Sequence, residues 1–302
     1  MPIPLPALLL VIGSSLAWSG FDVCRKVLAD RVRPAPLGFL LAAGAVPLFA
    51  LWTAVDGMPA IQTGYLPPAA ASVALNIAAN LLFFAALRNS QLSVTIPLLS
   101  LTPVFTALLA IPMLGEIPAL RQWLGILLVV AGAFVLNLPA DGSMSPPAMA
   151  RAWIGERGPI YAPRGAGLMV LVALFWSLTG PFDKMATGKA SGPFHATVLC
   201  TGVALGIAAV LAVQRRLREL SDVRKAGWIF VLAVLISIAA LGLQLLAMMK
   251  VWVGLVETLK RGIGNLSALI LGRTLFGEAF TPRKLLAVGL MIAGVALILA
   301  WA

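Results

Sequence analysis

GEIPALRQWLGILLVVAGAFVL, residues 115–136, aligns without a gap on GEAFTPRKLLAVGLMIAGVALI, residues 277–298. Both copies open on Gly-Glu, place an Arg five residues after the Glu (Arg121, Arg283) and reach an Ala-Gly pair (Ala131 and Gly132; Ala293 and Gly294). Self-similarity at a fixed separation marks a repeated structural unit. The front of each half agrees: Trp18 and Ser19 answer Trp176 and Ser177, and Lys26 answers Lys184 at the same distance.

Each repeated segment is apolar after its opening turn, and so is most of the chain. Hydrophobic residues make up 61% and charged residues 11%, against roughly 25% charged in soluble domains. A water-soluble domain of this length is excluded, and lipid is the expected solvent. Runs of about 20 residues nearly free of charge read as spanning helices. Ten fall near Leu5–Val23, Pro36–Val55, Pro67–Leu87, Leu92–Met113, Trp123–Pro139, Gly165–Phe182, Pro193–Val213, Trp228–Met249, Val253–Gly272 and Leu285–Trp301. The expected fold is therefore an all-α membrane protein with ten transmembrane helices in two five-helix repeats, residues 1–139 and 165–302. Residues 140–164, rich in Pro and Gly with both charge signs, read as a linker. An odd number of spans per copy makes the second insert upside down, and inverted repeats of this kind typify secondary transporters that alternate access.

The net charge of +11 does not point to nucleic acid, since most of the 22 basic residues lie between apolar runs. The odd-numbered connections hold the majority, among them Arg31, Arg33, Arg88, Arg151, Arg157, Arg215, Arg216 and Arg218; the even-numbered ones hold Arg121, Lys184, Lys189 and Lys250. The positive-inside rule then places the odd connections in the cytoplasm and both termini outside an inner membrane. No basic residue precedes the first apolar run and no clear cleavage site follows it, so it reads as the first helix. Cys24 and Cys200 have no metal spacing and read as packing residues.

The segment SLTPVFTALLAIPMLGE, residues 100–116, followed by RQWLGILLVVAGAFVL, resembles the hallmark of the EamA family in the drug/metabolite transporter superfamily. Pro103, Phe105, Gly115 and Glu116 fall at the family spacing, and Trp18 and Lys26 match its first-helix pattern. The resemblance covers nearly the whole chain. It implies ten helices, a central cavity lined by spans one, three, four, six, eight and nine, and no ATP; it does not imply a substrate. Three features depart from the family pattern. Ser19 follows Trp18 where a glycine is usual, the second connection holds only Asp56 where basic residues are common, and the ninth span is charged. The second departure implies an orientation opposite to the usual one.

That ninth span, VGLVETLKRGIGNLSALILGR, carries Glu257, Lys260 and Arg261. Each charge facing lipid at mid-depth would cost about 2.5–3.5 kcal/mol, so these are expected to face a cavity or one another. Glu257 stands three residues before Lys260 and four before Arg261 and can meet either on one face, while the two bases point about 100° apart. One cation is left over. It is expected to bind an anionic or carboxylate-bearing substrate, with Glu257 as a proton-coupling group; the alternative is a structural triad whose spare charge meets a carbonyl, water or lipid phosphate.

Pro97 and Pro103 in the fourth span, and Gly262 and Gly264 in the ninth, suggest helices broken at matching places. Asn80 and Gln244 in spans three and eight, with Thr102 and Asn265, are candidate cavity-lining groups, an interhelical hydrogen bond being equally open for Asn80 and Gln244. Trp18 and Trp176 are candidate substrate contacts or interfacial anchors. Asp22, three residues before Arg25, is expected to be paired more than to carry protons. Glu116 and Glu278 read as caps or ion pairs beside Arg121 and Arg283, and the lone His195 as a polar surface group. No phosphate loop, metal cluster or nucleophile–base pair is found, so neither cofactor, metal nor catalysis is expected. The readings left are a carrier of a small anionic or zwitterionic solute driven by its own gradient or by protons, a flippase for an anionic lipid or lipid-linked sugar, and a membrane scaffold without transport. The sequence does not fix substrate, direction, coupling ion or oligomeric state.

Overall fold

The computed structural model describes residues 4–29, 31–89, 96–137, 163–276 and 281–299. Nearly all of the linker, and Glu278 of the second repeat motif, lie outside the described residues.

Ten α-helices form among the described residues: α1 (Leu5–Ala29), α2 (Pro34–Asp56), α3 (Leu66–Asn89), α4 (Thr102–Leu114), α5 (Leu120–Asn137), α6 (Pro163–Thr187), α7 (Gly192–Val213), α8 (Trp228–Met248), α9 (Val253–Phe276) and α10 (Pro282–Leu299). Their starts follow from local chemistry. Proline opens the first turn of α2, α4 and α7, where its missing N–H is no loss. Ser191 caps α7 by accepting from Phe194 N–H. Gly115 ends α4 with φ +68°, a left-handed cap that glycine adopts at no steric cost.

Seven helices are long and apolar enough to cross a membrane by length and composition, with shorter apolar helices at Leu98–Leu114 and Leu120–Leu136. Of the ten spans expected, the fourth and fifth are thus shorter apolar helices and the ninth is not among the seven. The fourth does not run as one helix: Ile96–Leu101 is a 3-10 segment and the α-helix begins only at Thr102, as Pro97 and Pro103 cannot donate to a continuous ladder. The ninth carries Glu257, Lys260 and Arg261 within its first nine residues. It is nevertheless continuous from Val253 to Phe276, so the expected break at Gly262 and Gly264 is absent. Those glycines instead admit neighbours, Val295 at Gly262 and Ser19 at Gly264.

Large apolar side chains such as Leu51, Leu127, Leu205, Val231 and Leu285 point outward, as lipid-facing surfaces do. The strongest packing pairs are α3 with α6, α5 with α10, α1 with α8 and α2 with α7, followed by α1 with α9, α4 with α6, and α4 with α9. This pattern is unchanged when every helix is exchanged for the one five places away. The contacts repeat in detail. Ser19 on α1 donates to the carbonyls of Ser15 and of Gly264 on α9, each at 3.1 Å; Ser177 on α6 donates to those of Ala173, 2.5 Å, and Thr102 on α4, 3.1 Å. Across α5 and α10, a Cβ at Gly125 would lie 2.8 Å from Gly294 O and one at Gly132 2.7 Å from Ala287 O. Only glycine permits so close an approach.

The connections gather at two ends. Glu219, after α7, pairs with Arg33 at the start of α2 and with Arg216 at 2.9 Å, so the first and seventh connections share one end. At the other, Gln62 N–H donates to Lys189 O at 2.9 Å, joining the second connection to the sixth. Hydrogen bonding from Arg216, with the charges of Arg216 and Arg33, holds the Glu219 carboxyl below the usual carboxylate range.

Candidate functional site

The charged turn of α9 packs against α1, α4 and α8. Glu257, 6% exposed, accepts from Lys260 Nζ at 2.5 Å. Lys260 Nζ also donates to Gln244 Oε1 on α8 at 3.2 Å and stands 5.6 Å from the centre of the Trp18 ring on α1. Trp18 Nε1 donates to the same Gln244 oxygen at 2.7 Å. Trp18, Gln244, Glu257 and Lys260 thus form one connected group. It is stable because every buried polar atom named has a charge or hydrogen-bond partner.

Arg261 leaves this group and turns to α4. Its Nη2 donates to Leu99 O at 3.2 Å, a carbonyl in the 3-10 segment that also accepts from Thr102 Oγ1 at 2.7 Å. The proline-broken span frees a carbonyl, and the cation takes it. Glu257 and Asp22 are the carboxylates near enough to act on Arg261, but Glu257 is bonded to Lys260 and the exposed Asp22 lies 3.7 Å from Arg25. Among the described residues, the charged turn of α9 therefore holds one positive charge in excess. Asn265, one turn beyond Arg261 and so on the same helix face, has a buried amide nitrogen without a hydrogen-bond partner among the described residues.

Not every candidate joins. Trp176 packs on Phe83, ring centres 5.6 Å apart, within an apolar cluster of α3 and α6; its repeat counterpart Trp18 is the one that meets charge. Asn80 donates to the Asn76 carbonyl on α3 at 2.8 Å. Cys24 and Cys200 are buried free thiols. A cleft of about 240 Å³ between α3 and α7, lined by Leu81, Ala85, Ile207 and Leu211 with Gln214 and Arg216, includes no residue of α9.

The partners in two polar clusters escaped the sequence reading. Glu116 accepts from Lys184 Nζ at 2.6 Å and from Val253 N–H at 2.7 Å, tying α4 to α6 and capping the first residue of α9. The expected cap or ion pair is therefore present, with Lys184 and Val253 as its partners; Lys184, assigned to a connection, lies inside α6. His195, expected at the surface, is fully buried. Its Nε2 lies 3.0 Å from Asp183 Oδ1 and its Nδ1 3.2 Å from Tyr65 Oη, while Ser72 on α3 also donates to Asp183. The signal was the rule already applied to α9, that an acid inside a span has a partner. It was lost because the sixth span was ended at Phe182, one residue short of Asp183.

The EamA-like transporter family model matches the chain twice, over residues 5–138 and 163–300. No curated protein matches it. A solved structure described as "Crystal structure of protein" superimposes with a TM-score of 0.73 at 20% identity, covering 97% of this chain and 96% of that one. At that identity the likeness concerns the fold alone.

Proposed function

Because the chain belongs to the EamA-like transporter family and is a multi-pass membrane protein, we propose that it is a secondary transporter of a small anionic or zwitterionic organic solute. The observation that carries this reading is the uncompensated Arg261, resting on a single carbonyl with the unpartnered Asn265 amide one turn away. A carboxylate at that face would accept from both and neutralise the buried charge; an intramembrane ionisable residue is a candidate functional site by default.

Alternating access fits a chain whose halves, residues 1–139 and 165–302, are inverted copies. The double family match, the five-place exchange of helix contacts and the equivalent Ser19 and Ser177 bonds support that arrangement. The excess of basic residues in the odd-numbered connections supports cytoplasmic odd connections and outward termini in an inner membrane. Attaching a membrane-impermeant thiol reagent to single cysteines placed at Arg218 and Lys250 reads this orientation directly: labelling of intact cells at 250 and not at 218 is the expected result.

The substrate reading is tested by thermal-shift screening of the purified protein in detergent against dicarboxylates, amino acids, phosphorylated sugars and organic cations. Stabilisation by carboxylate-bearing or phosphorylated compounds, lost in Arg261→Gln, is expected. Stabilisation confined to cations, or an unchanged ligand response in Arg261→Gln, overturns it. Saturable uptake of the stabilising compound by proteoliposomes then separates a carrier from a lipid flippase, which would move head-group-labelled lipid instead.

A further inference from the structure

The group formed by Asp183 and His195 takes no part in the site on α9, yet it gathers titratable residues in the protein interior. Asp183 is 4% exposed and His195 0%. They come from α6 and α7, and the network continues to Ser72 on α3 and to Tyr65 just before it. The other charged or titratable groups around the pair, among the described residues, are few. Cys200 on α7 is a buried thiol. Lys184, the next residue of α6, is held by Glu116. Lys189, in the connection to α7, donates to Thr63 O at 3.2 Å. None of these is bonded to the Asp183 carboxylate.

Burial, with the negative charge of Asp183 nearby, pushes the Tyr65 phenol up to about 12, so Tyr65 stays neutral and acts only as a hydroxyl. With His195 neutral, Nε2–H donates to Asp183, Nδ1 accepts from Tyr65 O–H, and the pair carries one net negative charge. Adding one proton at Nδ1 brings the pair to zero net charge; Tyr65 then turns its hydroxyl and accepts from Nδ1–H. Ser72 donates to the carboxylate in both states. Proton uptake thus needs only hydroxyl rotation, and it removes an uncompensated charge whose burial is costly. This balance distinguishes the pair from Glu257, already neutralised by Lys260, and from the exposed Asp22.

The position suits exchange with water at one end. Asp183 is four residues before the end of α6, His195 three after the start of α7, and Tyr65 immediately before α3, so the pair lies within about 6 Å of the helix ends at a rise of ~1.5 Å per residue. That end holds the second and sixth connections. Inward from it a polar file runs along α3: Asn76 donates to Ser72 O at 3.1 Å, and Asn80 to Asn76 O at 2.8 Å.

We infer that Asp183 and His195 together form a proton-binding site, entered from the end of the bundle that holds the second and sixth connections, where the coupling proton of the transport cycle is taken up. The use of that proton rests on the carrier reading above; the existence of the site does not.

His195 is the single histidine of the chain, so its protonation can be read without ambiguity. Full-length, tag-free protein carrying isotope-labelled histidine is titrated in detergent and the imidazole followed by NMR, the proton being the only probe. The expected result is uptake of one proton by the imidazole in the wild type and a changed titration in Asp183→Asn, which removes the bonded carboxylate. Tyr65→Phe, a milder change that removes only the Nδ1 partner, is the second variant and guards against a folding defect in Asp183→Asn. An imidazole that does not titrate while the protein stays folded, or a midpoint unmoved in both variants, overturns the site and leaves the carrier reading standing. A ligand response that does not depend on Arg261 overturns the carrier reading and leaves the proton site standing.

Discussion

Replacing Glu116 by alanine is expected to loosen three helices at once. The carboxylate, 6% exposed, bonds to Lys184 Nζ at 2.6 Å and Val253 N–H at 2.7 Å, and Lys184 Nζ also reaches Val251 O at 3.1 Å. Removing one partner of a buried ion pair costs about 3–5 kcal/mol because the other charge is left unmatched, and losing a helix cap costs about 1 kcal/mol more. Glu116→Gln keeps an acceptor for Val253 N–H and loses only the charge, so it falls between alanine and wild type. The double variant Glu116→Met with Lys184→Met removes both charges together and is expected to be less destabilised than Glu116→Ala alone. The assay is equilibrium unfolding of the purified protein in mixed micelles as a double-mutant cycle, which isolates the pairwise coupling. Effects of Glu116→Met and Lys184→Met, measured singly, that simply add in the double variant, with no coupling, would refute the assignment of this carboxylate as the joint of α4, α6 and α9.

Gly132→Leu places side-chain atoms where Ala287 O and Met291 Cγ already stand 2.7 Å from a Cβ position, and overpacking of this kind costs about 1–3 kcal/mol; a lower melting temperature in detergent is the readout. Gln244→Leu removes the acceptor shared by Trp18 Nε1 and Lys260 Nζ; Lys260 keeps Glu257, while the part-buried Trp18 donor is left unsatisfied at about 1–3 kcal/mol, measured the same way. The carboxyl of Glu219 is held below its ordinary range in the folded protein, so its tie to Arg33 and Arg216 is fully present above the unfolded carboxylate value, roughly pH 4.3, and is lost as pH falls through the depressed folded value. Hydrogen exchange of the connection after α7 is expected to rise on acidification in wild type and to be already raised, and insensitive to acid, in Glu219→Gln.

What the sequence made legible follows from period and solvent. The repeated Gly-Glu and Ala-Gly segments pointed to the five-place relation among helices, and the glycines of the Ala-Gly pairs, Gly132 and Gly294, stand with Gly125 where α5 and α10 touch. The charged turn of α9 was readable because lipid forbids isolated charge, and Glu257 does meet Lys260. Which base it would choose was not readable, since spacing allows both; α8 decides, by placing Gln244 beside Lys260. The identical tryptophans were equally beyond reach, as Trp18 has Lys260 opposite and Trp176 has Phe83. Partners 68 and 137 residues apart, as in Glu116 with Lys184 and Val253, leave no local pattern at all.

Asp183 and Lys184 are consecutive on α6, so their side chains leave the helix about 100° apart. Asp183 is bonded to Ser72 of α3 and His195 of α7; Lys184 is bonded to Glu116 after α4, which caps α9 one turn before Glu257. The last turn of α6 therefore stands between the proposed proton site and the helix that carries the excess cation, and it holds each side with a different charge. If that turn is the physical link, loosening one side must not loosen the other directly. Asp183→Asn is expected to raise hydrogen exchange at the starts of α3 and α7 and to leave the first turn of α9 protected, whereas Glu116→Ala should expose the first turn of α9 and spare α3 and α7. The last turn of α6 should be the segment that changes in both. Equal protection of α3 and α7 in Asp183→Asn and wild type would remove Asp183 from that role, because a carboxylate that bonds to two helices cannot lose its charge without cost to both.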